Sequence, residues 1–317
     1  MRRILITGSS GYIGSKLVQA LQMEPQVEII VALDLIPPRQ SLTKQVFYRH
    51  DIRQSIFGFL KRYDINTVVH TAFILPPRHN NQEMEYINVG GTKSVLCDCR
   101  EYGIDHLLYT SSATAYGFLP DNPVPITEEQ PLRGNDDFTY SRTKRLIEEQ
   151  LDQWFPETPQ SARTVFRPCF VIGPDVDNPI SRYFSKRIVF LPRDPHPIQF
   201  LHEEDLTHVM LHCLKHRISG IFNIGGEGTL TLSEMATILG NRPLYLPPDW
   251  LARLNSIAWH TRLTCITETP SAGLDLVRYP WIVSSRKLID TTGIQLRYSS
   301  REAFESFAGR KGWKNRR

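Results

Sequence analysis

Short apolar segments alternate with amphipathic stretches across the first 110 residues, and this alternation constrains the fold more than any other feature. The apolar segments are "RILIT", "EIIVALD", "VFYRHD", "TVVHTA" and "HLLYTSS". Most of them are apolar throughout, which is typical of strands in a parallel sheet covered on both faces. Between the first two lies a helical stripe of Ile13, Leu17 and Ala20. The pattern predicts an α/β protein with a doubly wound parallel-sheet Rossmann fold.

A glycine-rich turn joins the first predicted strand to the first predicted helix in "LITGSSGYIGSKLVQAL". Its glycines, Gly8, Gly11 and Gly14, follow a GxxGxxG spacing rather than the more common GxGxxG. Glycine allows a tight turn and a close approach to a ligand, and the N-terminus of the following helix attracts an anion. Three glycines also suit a plain turn, but the strand–turn–helix context favours a dinucleotide site. We assign Tyr12 and Ile13, inside the turn, to the same site.

Asp34 ends the second strand, 20 residues after Gly14. A carboxylate at this position can accept hydrogen bonds from ribose hydroxyls, and it repels a 2′-phosphate. Two like charges about 4 Å apart at an effective dielectric constant of about 20 repel by about 4 kcal/mol. Arg39 could offset this repulsion only by folding back past two prolines. NAD is therefore expected in preference to NADP. The alternative role for Asp34 is that of a turn residue or a helix cap.

The amino-acid composition of the chain changes after Ser112. A proline-rich loop precedes a further helix and the strand "ARTVFRP", and prolines are frequent from Gly173 onward. We predict an NAD-binding domain over residues 1–170, which the chain re-enters around 198–224. Residues 171–317 are predicted to form mainly a smaller C-terminal substrate-binding lobe with a basic tail.

Two tyrosine–lysine pairs share a spacing of four residues, Tyr12 with Lys16 and Tyr140 with Lys144. The first pair flanks the apolar stripe of its helix and lies in the phosphate turn, so we assign it to packing and position. The second pair begins an apolar stripe that must face the body of the protein. A nearby lysine cation lowers the pKa of a tyrosine from its usual value of about 10. Tyr140 is therefore a candidate general acid/base.

A serine pair, Ser111 and Ser112, follows the strand "HLLYT". Ligands bind beyond the carboxyl ends of strands in open α/β sheets, so either hydroxyl could orient a substrate oxygen. A lone serine at this position is more often part of a turn. The predicted cofactor turn and the tyrosine–lysine pair favour a functional role for a serine here.

Eight motifs occur in an order that resembles the extended short-chain dehydrogenase/reductases. They are "TGSSGYIG", "HDIR", "VVHTA", "NVGGT", "YTSSATAYG", "YSRTK", "FRPCFVIGP" and "FNIGG". The resemblance covers roughly residues 3–240 and is to the NAD-dependent epimerase/dehydratase branch. It implies an NAD-dependent enzyme that transfers a hydride at a secondary alcohol or ketone.

The resemblance also implies roles for individual residues. Tyr140 would be the general acid/base, Lys144 would lower its pKa and hold the nicotinamide ribose, and Ser112 would bind the reacting oxygen. The remaining cofactor contacts that it implies are Asp51 and Ile52 beside the adenine, with Ala72 and Asn88 along the cofactor. Ser112 is preferred to Ser111 because it directly precedes "ATAYG".

Two departures from related sequences bear on the substrate. Relatives that act as 4,6-dehydratases carry an Asp–Glu pair where this chain has Ala113 and Thr114. Related 4-epimerases carry a diphosphate-binding arginine where this chain has Ile198, four residues before His202. Three hypotheses remain open: a simple NAD(H)-dependent dehydrogenase or reductase, a nucleotide-sugar epimerase similar to UDP-sugar 4-epimerases, and a non-catalytic NAD-binding regulatory protein. We rank them in that order.

Composition narrows the remaining possibilities. The five cysteines form no CxxC, so we expect reduced thiols, no zinc site and a cytoplasmic protein. The run His202, Glu203, Glu204, Asp205 is interpreted as helix capping rather than a metal site. The net charge of +4 arises largely from the tail, and we expect no nucleic-acid partner and no membrane span. By resemblance, a homodimer is expected through the helices near residues 83–102 and 139–153.

Overall fold

The structure is a computed structural model that describes residues 2–75, 81–193, 195–263 and 267–310. Cys265 and most of the basic tail lie outside the described residues. The chain divides into two compact units. The first consists of Met1–Ser112, Thr143–Arg167 and Thr207–Phe222; the second consists of Ala113–Arg142, Pro168–Leu206 and Asn223–Arg317. The functions predicted for residues 1–170 and 171–317 remain predictions.

The secondary structure is mixed throughout. The strands in the described ranges are β1 (Arg2–Thr7), β2 (Val27–Asp34), β3 (Gln45–Arg49), β4 (Thr67–His70), β5 (His106–Thr110), β6 (Ala162–Pro168), β7 (Phe170–Ile172), β8 (Ile188–Pro192), β9 (Phe200–His202), β10 (Gly220–Ile224) and β11 (Arg242–Leu246). The helices are α1 (Tyr12–Gln22), α2 (Phe57–Arg62), α3 (Asn81–Glu85), α4 (Gly91–Tyr102), α5 (Thr139–Trp154), α6 (Pro179–Phe184), α7 (Glu203–His216), α8 (Leu232–Leu239), α9 (Pro248–His260), α10 (Asp275–Arg278), α11 (Arg286–Thr292) and α12 (Ser300–Arg310).

A seven-stranded sheet has the order β10-β6-β5-β4-β1-β2-β3. The pairs β1–β2, β1–β4, β2–β3, β4–β5 and β5–β6 are all parallel. The strand order reverses between β1 and β4, which is where ligands bind in doubly wound sheets. The predicted Rossmann fold is confirmed, and each apolar segment named above overlaps one of the first five strands.

Helix α1 buries a face slightly different from the one predicted. The buried residues are Gly14, Leu17, Val18 and Leu21, whereas Ile13 and Ala20 are only half-buried. The face shifts because Gly14, which has no side chain, allows the helix to lie directly against the turn that precedes it. Leu17 of the predicted stripe is confirmed as buried, whereas Ile13 and Ala20 lie at the edge of the buried face.

A single π-helical turn, Tyr86–Gly90, separates α3 from α4. It was not predicted, because a periodicity of 3.6 residues does not distinguish a wider turn within a helix. The turn buries Asn88. Gly91, directly after it, is packed against Ile52, since an added Cβ would lie 2.7 Å from the Ile52 Cδ1 atom.

The second unit contains two small parallel ribbons, β8 with β11 and β7 with β9. Helix α12 packs against β9, burying Phe304 and Phe307. Within the described ranges, no helix is both long and apolar enough to cross a lipid bilayer.

Candidate active site

The glycine turn has little space for side chains. Gly8 has a φ of +71°, and a Cβ there would lie 2.5 Å from the backbone nitrogen of Ala72. A Cβ on Gly14 would lie 2.1 Å from the carbonyl oxygen of Gly8. The turn is closed by a 3.1 Å hydrogen bond from the Gly11 N–H to the same carbonyl. The end of β1, the start of α1 and the segment after β4 thus meet through backbone atoms, which suits a dinucleotide diphosphate.

Asp34 connects the glycine turn to the loop after β2. One carboxylate oxygen accepts a 2.9 Å hydrogen bond from the Ser10 N–H, and the other accepts one of 3.0 Å from the Ile36 N–H. The Ser10 hydroxyl donates to the Ile36 carbonyl at 2.6 Å. Asp34 therefore has the turn role that was considered as an alternative, and it remains half-buried beside the turn. Ser10 was not singled out from the sequence.

Asp51 and Ile52 follow β3. The Asp51 carboxylate accepts hydrogen bonds from the Arg53 guanidinium, including one of 2.5 Å from Nη2, and these hold the pKa of Asp51 below its usual value. Arg53 also lies over the ring of Tyr86 at 5.8 Å. Ile52 is 8% exposed.

Asn88 fixes the segment that follows β4. Its Oδ1 atom accepts a 2.8 Å hydrogen bond from the Ile74 N–H, and its Nδ2 donates to the Ile74 carbonyl at 3.3 Å. Because Ala72 belongs to the same short segment, the buried Asn88 amide also restrains the backbone that contacts Gly8.

Lys144 is buried in the first unit, with 4% of the residue exposed. Its Nζ donates to the Thr110 carbonyl at 2.8 Å and to the Tyr109 hydroxyl at 3.2 Å. The amine also lies 4.0 Å from the centre of the Phe73 ring. Burial lowers the pKa of Lys144 to about 7, against the opposing effect of the Glu148 carboxylate. Both the charged and the neutral form of the amine are therefore accessible near neutral pH.

Tyr140 lies one helical turn before Lys144 on α5 and is half-buried. The start of this helix is held by Ser141, whose hydroxyl donates to the Thr114 carbonyl at 2.6 Å. The Ser141 hydroxyl oxygen also accepts a 2.9 Å hydrogen bond from the Asn135 N–H. The ring of Phe138 lies 6.1 Å from that of Tyr140.

The two serines after β5 differ in their partners. The Ser111 hydroxyl donates to the Glu148 carboxylate, which also binds the guanidinium of Arg167. Ser111 thus belongs to a buried polar network. Ser112 is 6% exposed, and it is the serine that the family resemblance aligns with the reacting oxygen.

His70 was missed from the sequence, although it lies at the carboxyl end of β4. Its Nδ1 is 2.6 Å from the Thr7 hydroxyl and its Nε2 is 2.9 Å from that of Thr92. Thr92 donates its own proton to the Asn88 carbonyl, so it accepts from Nε2, and Nδ1 accepts from Thr7. Burial, and secondarily the Lys144 cation, lower the pKa of His70 to about 3. The ring is therefore neutral.

The first tyrosine–lysine pair has a different environment. Lys16 lies over the Tyr12 ring at 5.7 Å, and both residues are only half-buried. The burial of Lys144 therefore distinguishes the second pair from the first.

The region aligned with a diphosphate contact is apolar in this chain. Ile198 is 3% exposed, and its backbone pairs with Leu230. Arg182 is a cation of the same unit that could replace the missing arginine, but it is bound by Glu268 at 2.6 Å and by Asp177 at 2.7 Å. These carboxylates raise the pKa of Arg182 above its usual value.

The polar run that begins at His202 is hydrogen-bonded to backbone N–H groups. The His202 Nδ1 atom accepts a 3.2 Å hydrogen bond from the Glu204 N–H at the start of α7. The Asp205 carboxylate accepts from the backbone N–H groups of Arg297 and Tyr298. Across the described part of the chain, no group of three or more His, Cys, Asp or Glu residues is arranged to hold a metal ion.

Fold and sequence together define a family. A profile described as the NAD dependent epimerase/dehydratase family matches residues 4–225, and the chain belongs to that family, whose members are enzymes. An uncharacterised protein of Mycobacterium bovis is 25% identical, covering 98% of this chain and 84% of its own length.

Two solved structures have the same fold. A UDP-glucose 4-epimerase of Thermotoga maritima, solved with UDP-glucose, has a TM-score of 0.77 at 19% identity and is matched over 98% of each chain. A dTDP-glucose 4,6-dehydratase of Bacillus anthracis, solved with NAD, has a TM-score of 0.76 at 20% identity, covering 100% of this chain and 98% of the other.

Proposed function

We propose that this protein is an NAD(H)-dependent oxidoreductase that transfers a hydride at a secondary alcohol or ketone. Ser112, Tyr140 and Lys144 carry the chemistry in this proposal. The observation that supports it most is the burial of Lys144, which has a pKa of about 7 and lies one turn after Tyr140 on α5. A buried amine tuned to neutral pH at a strand's carboxyl end is typical of a functional site.

The cofactor site proposed here consists of the glycine turn and the residues that surround it. Gly8, Gly11 and Gly14 leave room for a diphosphate, with Tyr12 and Ile13 at the start of α1. Asp34 favours NAD over NADP because its carboxylate lies at the turn, bound to the Ser10 N–H. Asp51, Ile52, Ala72 and Asn88 complete the proposed contacts. NAD, when bound, supplies the hydride acceptor, and NADH supplies the donor.

Tyr140 moves the proton in this proposal. As the alcohol is oxidised, the phenolate oxygen of Tyr140 takes the hydroxyl proton, and in reduction the phenol returns it. The Lys144 ammonium stabilises the phenolate and lowers the pKa of Tyr140. The Thr110 carbonyl and Tyr109 hydroxyl hold Lys144 in place. Ser112 donates a hydrogen bond to the reacting oxygen, while Ser111 is occupied with Glu148.

The substrate that fits best carries no diphosphate. Ile198 offers no charge where related epimerases use an arginine, and Arg182 is already bound by two carboxylates. A desolvated diphosphate without bidentate guanidinium contacts is held poorly. A modest-sized or apolar secondary alcohol is therefore the preferred substrate class.

A nucleotide-sugar epimerase is the second candidate, favoured by the fold that this chain shares with the T. maritima 4-epimerase. One experiment separates the two. The purified protein is mixed with NAD and a panel of secondary alcohols and UDP-sugars, while NADH absorbance and sugar interconversion are followed. Net NADH formation supports the dehydrogenase. Interconversion of UDP-sugars without net NADH, with NAD retained after gel filtration, supports the epimerase instead.

We further propose a cytoplasmic homodimer that forms through the helices near residues 83–102 and 139–153, which include α4 and α5. Four cysteines in the described ranges are free thiols, which suits a reducing compartment. Light scattering coupled to size exclusion tests the dimer, and a monomer at micromolar concentration contradicts it.

A further inference from the structure

Exposed apolar side chains are concentrated in one region of the second unit. Among the residues that the structure describes, fourteen large apolar side chains are exposed, and eight of them lie within residues 188–190 and 244–263. They are Ile188, Phe190, Leu244, Tyr245, Trp250, Leu254, Ile257 and Leu263. Isolated exposed apolar residues are ordinary, but a concentration of this kind marks an interaction surface.

Helix α9 has two apolar faces. One face is buried in the second unit through Leu251, Asn255 and Ala258. The Asn255 amide donates to the Thr269 carbonyl at 3.0 Å, which fixes the orientation of the helix. The other face exposes Trp250 by 62%, Leu254 by 48% and Ile257 by 61%. At 100° per residue these three side chains lie within an arc of about 60°, so they form one continuous stripe.

The ribbon that precedes α9 also exposes an apolar face. Along β8, Ile188 and Phe190 are exposed, while the alternating residues Val189 and Leu191 are buried. Phe190 pairs with Leu244 of β11, which is 49% exposed. Only Pro247 separates β11 from α9, so the exposed face of the ribbon and the exposed stripe of the helix belong to adjacent elements.

The charged residues along and next to these elements in the sequence are mainly basic. The cations in the described stretches 186–193 and 242–263 are Lys186, Arg187, Arg193, Arg242, Arg253 and Arg262. These two described stretches contain one acidic residue, Asp249. Arg253 lies on α9 itself, at the edge of the exposed stripe.

We propose that the stripe of α9 and the exposed face of the β8–β11 ribbon bind the surface of an anionic lipid bilayer. Tryptophan and phenylalanine suit the boundary between headgroups and acyl chains, and flanking arginines attract anionic headgroups. A second copy of the chain is a poorer occupant, because a two-fold interface would bring the same six cations against each other. The protein then lies on the bilayer without spanning it.

The test is co-sedimentation of the full chain with vesicles. Binding to phosphatidylcholine–phosphatidylglycerol vesicles is compared with binding to phosphatidylcholine alone, at low and at high salt. One variant combines Trp250→Ser, Leu254→Ser and Ile257→Ser, and a second combines Arg242→Glu with Arg253→Glu. Met23→Ser is the matched control, since Met23 is 79% exposed on the first unit. Circular dichroism and thermal melting establish that each variant is folded.

We expect the wild type and Met23→Ser to bind anionic vesicles with equal affinity and more weakly at high salt. The triple serine variant should bind at least about tenfold more weakly, because burial of three large apolar side chains is lost. The double glutamate variant should lose the preference for anionic vesicles. The proposal is overturned if the wild type does not bind these vesicles or if the triple variant binds equally well. It is also overturned if the triple variant turns a dimer into a monomer. None of these readouts depends on enzymatic activity.

Discussion

Glu148 and Arg167 form an ion pair held by three hydrogen bonds, with side chains only 3% and 5% exposed. The Arg167 Nη2 donates to Glu148 Oε2 at 2.7 Å, and Nε donates to both carboxylate oxygens at 3.0 Å. Glu148 lies one turn after Lys144 on α5, and its charge opposes the lowering of the lysine pKa by burial. The pair therefore joins the core of the first unit to the candidate active site.

Breaking this pair from one side should destabilise the fold. Glu148→Gln leaves the Arg167 guanidinium buried without a counter-charge, which costs about 3–5 kcal/mol of unfolding free energy. Urea denaturation of Glu148→Gln, Arg167→Met and the double variant provides the measurement. We expect the double variant to be more stable than the sum of the two single effects indicates. Additive single effects would show that the two side chains do not interact.

His70 should make the fold sensitive to acid. Its pKa is about 3 in the folded state against 6.5 for the free side chain, so the unfolded chain binds a proton first as the pH falls. The contribution of neutral His70 to the unfolding free energy is complete above pH 6.5. As the pH falls from 6.5 toward 3, the unfolding free energy decreases by about 1.4 kcal/mol per pH unit. His70→Gln should therefore flatten the decline in unfolding free energy between pH 6.5 and pH 5, measured with urea. His196→Gln, an exposed control, should decline as the wild type does.

Gly14 should not tolerate alanine, because the new Cβ would lie 2.1 Å from the Gly8 carbonyl oxygen. We expect the affinity for NAD, measured by calorimetry, to fall at least about tenfold as the turn shifts. Gly58→Ala is the matched control. No atom lies within 4 Å of its added Cβ, and it should leave NAD affinity unchanged while stabilising α2 by about 0.5–1 kcal/mol. Equal NAD affinity for Gly14→Ala and the wild type would contradict the proposed diphosphate site.

Asp34 should set the preference for NAD over NADP. Removing its charge in Asp34→Asn relieves a repulsion of about 4 kcal/mol, so the preference should narrow by up to about a thousandfold. Asn keeps an acceptor oxygen for the Ser10 N–H, whereas Asp34→Ala removes it, so comparison of the two separates charge from turn geometry. A wild type that already prefers NADP would show this assignment to be wrong.

The fold could be predicted because its strands are continuous apolar runs and its helices carry periodic stripes. The network around the candidate site was harder to predict, since each polar member reads as a surface residue by itself. Two signals were available for it. Glu148 follows Lys144 by four residues on the same face, and Arg167 is a lone charge within the apolar strand "TVFRP", which implies a buried partner. The π-helical turn that buries Asn88 gave no such signal. The Asn88 side chain is hydrogen-bonded to Ile74, and this tertiary contact is not visible in the local sequence pattern.

The central claim is that Tyr140 moves the proton, and Tyr140→Phe tests it most directly. The variant keeps the ring of Tyr140 on α5 while removing the hydroxyl. Turnover of a substrate found in the NADH assay and NAD affinity by calorimetry are measured on the same preparation. The control is Tyr245→Phe, because Tyr245 is 43% exposed and lies outside the proposed site. We predict that Tyr140→Phe loses at least about a hundredfold in kcat with NAD affinity largely unchanged, while Tyr245→Phe retains both. Unchanged turnover in Tyr140→Phe would contradict the account.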